Sequence, residues 1–111
     1  MSPLDSISLN PEENALLEYL LETKEITFVI LTEDYHPVSQ SVTETVQTIQ
    51  KENPGVELIE GRFSTYERFA QTQDAFGFPA TMIFLNGELQ DLFLGKLDQK
   101  VVQSKLDNLK P

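Results

Sequence analysis

The sequence predicts an α/β domain built on a mixed central sheet, and three observations carry that prediction. Residues 26–31 and Ala80–Leu85 are near-continuous apolar, β-rich runs, the pattern of strands covered on both faces. Helical stripes separate the successive strand-like runs, and strand–helix–strand units pair in parallel. Asn86-Gly87 joins Ala80–Leu85 to a second β-rich run, Glu88–Leu94, which is a hairpin signal and adds an antiparallel pair.

Each element follows from its residues. Ser6-Ile7-Ser8-Leu9 alternates and reads as a short edge strand. Asn10-Pro11-Glu12-Glu13 is a helix start, with Asn as N-cap, Pro at the first helical position and Glu13 completing a capping box. Leu16, Leu17, Leu20 and Leu21 follow at helical spacing, and the helix should end near Thr23. After the strand at 26–31 comes a polar loop, residues 32–37. Val38, Val42, Val46 and Ile49 then form one stripe that Asn53-Pro54-Gly55 stops. Residues 56–59 read as a second core strand. Ser64-Thr65-Tyr66-Glu67 has the form of a capping box, with Phe69, Ala70 and Phe76 continuing its helix and Gly77 at the left-handed C′ position. Asp98 caps a last helix with Val101, Val102, Leu106 and Leu109 inward. One domain spanning residues 1–111 is expected, with short loops throughout.

Composition excludes more than it assigns. With 18 acidic and 8 basic residues the net charge is −10. That argues against a phosphate-tracking nucleic-acid binder and suits a basic partner. There is no cysteine. Disulfides, iron–sulfur clusters, zinc fingers and thiolate nucleophiles are therefore excluded in this chain. No Gly-x-Gly or Walker spacing occurs, and one histidine offers too few ligands for a metal, so no cofactor or metal is expected. The first basic residue is Lys24, and no apolar run approaches the ~18 residues of a membrane span. A soluble cytoplasmic protein without membrane insertion is the expectation.

The element order and the turns together resemble the thioredoxin fold. Phe78-Pro79-Ala80-Thr81-Met82-Ile83-Phe84-Leu85-Asn86-Gly87-Glu88-Leu89 is similar to the thioredoxin segment of a cis-proline, a strand, an Asn-Gly turn and a last strand, and Leu94-Gly95 to its closing glycine. The departures are chemical. Tyr35-His36-Pro37-Val38 stands where that family has Cys-Gly-Pro-Cys, and Val29 stands where it has a buried carboxylate. Thiol–disulfide exchange needs a sulfur nucleophile, which no neighbouring group replaces. Phe78-Pro79-Ala80-Thr81, the cysteine-free loop and the acidity are also similar to the hydrogenase-expression family of thioredoxin-like proteins. That resemblance implies a chaperone that binds the twin-arginine signal peptide of a hydrogenase small-subunit precursor.

The resemblance also places the candidate site. Pro79 would shape a groove, Phe78 and Ala80 would offer backbone pairing to an extended peptide, and Tyr35, His36 and Pro37 would cap it. Glu33 and Asp34 would form an acidic rim that attracts arginines. His36 has Ser39 and Asp34 nearby, but neither a Gly-x-Ser-x-Gly elbow nor a triad spacing, so no catalytic residue is expected. Phe76 either adds to the aromatic surface of Phe78 and Tyr35 or joins the core, and its place in the helix stripe with Phe69 favours the core. The leading expectation is a redox-inactive binding module for a peptide or protein client. One alternative is a structural or assembly subunit, or a homodimer, that uses a sheet edge or helix face. Another is a glutathione-binding protein using the hydroxyl of Ser39 or Tyr35.

Overall fold

A computed structural model of the chain describes residues 8–110. Within them the order is α1 (Pro11–Glu22), β1 (Thr27–Thr32), α2 (Pro37–Glu52), β2 (Glu57–Arg62), α3 (Glu67–Thr72), β3 (Ala80–Leu85), β4 (Glu88–Leu94) and α4 (Gln99–Leu109). The sheet runs β2-β1-β3-β4. β1 pairs parallel with β2 across the α2 crossover and antiparallel with β3, so the β2–α3–β3 unit, expected to be parallel, reverses direction and its strands are not neighbours. Of the strand expected at residues 6–9, Ser6 and Ile7 lie outside the described residues, and Ser8 and Leu9 are not in a strand.

β1 and β3 are central and apolar because both their faces are covered. Val29, Leu31, Ala80, Met82 and Phe84 pack with Leu16 and Leu20 of α1 and Phe69 of α3. Phe28, Ile30 and Ile83 face the opposite way, against Val42, Val46 and Ile49 of α2 and Val102 and Leu106 of α4. Val29, at the position of the missing carboxylate, is fully buried among apolar neighbours. Thr81 lies in β3 between Ile30 and Phe93, and its buried Oγ1 has no hydrogen-bond partner among the described residues. The hairpin turn has φ 53° at Asn86 and 81° at Gly87, the two positive values a type I′ turn needs. A bulge then sets Ile83 opposite Asp91 but Phe84 opposite Leu89.

The α1 capping box forms as read. Asn10 Oδ1 accepts from Glu13 N–H at 2.7 Å, and Glu13 Oε1 accepts from Asn10 N–H at 3.0 Å. The box expected at Ser64 does not form. α3 begins only at Glu67, after Tyr66, and has no cap from its own first residues. Its Phe69 N–H instead donates to the buried Glu13 carboxylate of α1, 56 residues earlier. Asn10 Nδ2 reinforces the joint by donating to Thr65 O at 2.8 Å. One carboxylate therefore serves the N-termini of two helices, where the backbone dipoles favour negative charge.

The end of α3 also departs from the expectation. Asp74, at φ 63°, takes the left-handed position assigned to Gly77. Ala75 N–H donates to Ala70 O at 2.9 Å and Asp74 N–H to Gln71 O at 3.1 Å, a Schellman closure. The helix stops four residues before Phe76, which falls in the following loop and is 69% exposed rather than core. Val101, expected inward, is exposed as well.

Candidate binding site

The site is assembled where β1 ends, α2 begins and the loop into β3 passes. From Thr32 the chain turns through Glu33, Asp34 and Tyr35. Tyr35 adopts φ 60° and its side chain is fully exposed. His36 then caps α2: Ser39 N–H donates to its Nδ1 at 3.2 Å. That bond makes Nδ1 the acceptor and leaves the ring proton on Nε2. Pro37 occupies the first helical position, where a missing N–H costs nothing. Ser39 Oγ lies 3.3 Å from the same Nδ1 and accepts from Glu33 N–H at 3.4 Å. Ser39 is 3% exposed, and its contact with the half-buried His36 serves as the cap of α2.

Phe78 stands opposite. The Phe78–Pro79 bond is cis. The Phe78 ring meets the His36 ring edge-on, with centroids 5.3 Å apart, and leans on Phe63 at 5.4 Å. Phe63 is buried immediately beyond β2, tied by its N–H to Thr32 O at 2.8 Å. Phe78 is thus propped from behind, yet remains 42% exposed. Neither its N–H nor its C=O has a hydrogen-bond partner among the described residues. Pro79 is buried and its C=O is engaged by Gly95 N–H at 2.9 Å. Ala80 is fully buried in β3, between Leu31 and Leu94, so its backbone belongs to the sheet and is not free to pair with a peptide. The pairing expected of Phe78 and Ala80 together therefore reduces to Phe78.

The acidic rim is partly self-engaged. Arg62 Nη2 lies 3.5 Å from Glu33 Oε2 and 3.4 Å from Asp34 Oδ2. Ser64 N–H donates to Glu33 Oε1 at 2.6 Å. That backbone bond, helped by the Ser64 side chain and the Arg62 charge against some desolvation, holds the Glu33 carboxyl below its ordinary pKa. On the α2 side a shallow cleft of about 330 Å³ runs past Glu33, Asp34, Tyr35, Gln40, Thr43 and Glu44. No group of three or more acidic, histidine or cysteine side chains among the described residues could hold a metal.

The structure therefore sets His36 against Phe78, leaves Tyr35 and Pro37 exposed in the adjoining chain, buries Pro79 and withdraws Ala80 into the sheet. The sequence reading missed two contributors: Phe63 is the prop behind Phe78, and Arg62 pairs with the rim. Phe76, favoured for the core, is an exposed ring two residues from Phe78. The pattern Phe76-Gly77-Phe78, two aromatics flanking a glycine before a proline, was the available signal for Phe76.

No protein-family model and no curated protein sequence matches the chain. Its similarity is to solved structures. One is a chain from the structural study of the thiol-resolving mechanism in yeast mitochondrial 1-Cys peroxiredoxin via glutathione/thioredoxin systems. It has a TM-score of 0.76 at 11% identity, covering 97% of this chain and 100% of that one. Another is thioredoxin NaTrxh from Nicotiana alata, with a TM-score of 0.76 at 9% identity, covering 92% of this chain and 89% of that one. The chain has a thioredoxin-like fold. It carries no cysteine, so it has no thiolate for thiol–disulfide exchange.

Proposed function

We propose that this chain is a redox-inactive binding module that holds an extended segment of a peptide or client protein against Phe78 and the Tyr35–Pro37 loop. The observation that carries the reading is Phe78, whose unpartnered backbone groups and half-open ring stand side by side. An extended partner would satisfy those groups by main-chain pairing, as in strand addition. The ring and Tyr35 would supply rigid apolar contact at low entropic cost. The net charge of −10, with Glu33, Asp34 and Glu44 along the adjoining cleft, favours a basic segment.

The resemblance to the hydrogenase-expression family gives this reading its most specific form. The client is then a hydrogenase small-subunit precursor, bound through its twin-arginine signal peptide, and the module is a maturation chaperone. The test is co-purification from the native source, with wild type beside Phe78→Ala and the circular dichroism spectra matched. One client, carrying a basic segment, should be recovered with wild type and lost with the variant. Recovery of the same client with both proteins would remove this surface from the account.

A further inference from the structure

The carboxylates beside the proposed binding surface already hold a guanidinium, and it is the chain's own. Arg62 projects from the end of β2 and places Nη2 between Glu33 Oε2 and Asp34 Oδ2. Its side chain is 59% exposed, so the pair is wet, and exposed pairs of this kind are weak and readily exchanged. Glu33 does not depend on Arg62 for its position. Ser64 N–H fixes Oε1 from the other side, and the same bond keeps the carboxylate charged. Removing the arginine would leave the acceptor in place.

We propose that Arg62 is a built-in competitor, occupying the Glu33–Asp34 pair in the free protein and yielding it to an arginine of the bound segment. The proposal rests on the peptide-binding reading above. It gives that surface a selectivity which charge alone lacks. A partner guanidinium can reproduce the contacts Arg62 gives up, whereas an ammonium is a point charge that matches them less well. The intramolecular group also has the advantage of high effective concentration. A bare cation therefore loses the competition. An arginine followed by apolar residues succeeds, because contact with Phe78 and Tyr35 offsets the exchange. The occupant is thus an extended segment with an arginine beside an apolar stretch.

The probe is a fluorescein-labelled dodecapeptide with two adjacent arginines followed by apolar residues, its affinity read by fluorescence anisotropy at low ionic strength. Arg62→Gln should tighten binding about two- to fivefold, the scale set by loss of one exposed ion pair. Lys105→Gln, an exposed site on α4, removes the same unit of charge elsewhere and should have a clearly smaller effect. Adding Glu33→Gln to the Arg62 variant should cancel the gain. A peptide with both arginines replaced by glutamine should be indifferent to Arg62. The proposal is overturned if Arg62→Gln leaves the affinity unchanged, weakens it, or tightens it no more than Lys105→Gln does. If that happens while Phe78→Ala still costs binding, the peptide surface stands and the competitor falls. No binding by any variant would overturn both.

Discussion

Glu33 is the residue at which local charge and site geometry meet. Its carboxyl titrates below the ordinary glutamate value, chiefly because Ser64 N–H donates to it, with the Ser64 side chain and Arg62 adding to the effect. A carboxyl whose folded pKa is lowered contributes stability above the unfolded pKa and loses it as pH falls through the folded one. The contribution is therefore complete above about pH 4.5 and fades below it. Wild type should melt above Glu33→Gln at pH 6, and the two melting curves should converge toward pH 3. Melting temperatures measured across that range check this, and a gap that stays constant or widens on acidification contradicts it. Tyr35 makes the complementary point. Its φ is left-handed and its phenol fully exposed, so it contributes nothing to the core.

At the scale of elements, α3 is the informative case. Six residues are too few for a self-supporting helix, and its N-terminus is held from outside by Glu13. Glu13→Gln keeps one acceptor but turns an amide NH₂ toward a backbone N–H. Losing a buried charged acceptor costs about 1–3 kcal/mol, which urea denaturation would register. Hydrogen exchange should show residues 67–72 losing protection before β1 and β3 do. Uniform protection with unchanged stability would refute the shared-cap account. The same joint explains why the sequence misled at Ser64. The local signal, serine with glutamate three residues on, was sound, but Ser64 N–H goes to Glu33 and the cap comes from α1. Neither partner is within reach of a local pattern. The central strands, the Asn10 box and the Asn86-Gly87 turn were legible because each is decided by neighbours in sequence. The site divides in the same way. Tyr35, His36 and Phe78 were candidates from the motif loop and the proline. Arg62 and Phe63 reach the site only because β2 pairs with β1 and ends beside it.

For the whole molecule, two helical layers enclose one sheet, and the exposed aromatic residues of the candidate site come from the loops at a single end of β1 and β3. No helix among the described residues is long and apolar enough to cross a membrane. A net charge of −10 works against close approach of a second copy at low ionic strength. The proposed function puts an extended peptide against Phe78 and the Tyr35–Pro37 loop. The most direct measurement is an amide chemical-shift map of the isotope-labelled protein titrated with the two-arginine, apolar dodecapeptide. The account predicts shifts concentrated at residues 33–39 and 76–78, with the Phe78 amide becoming protected from exchange. Shifts confined to the β4 edge or to α4, or no shifts as the peptide is added in excess, would contradict it.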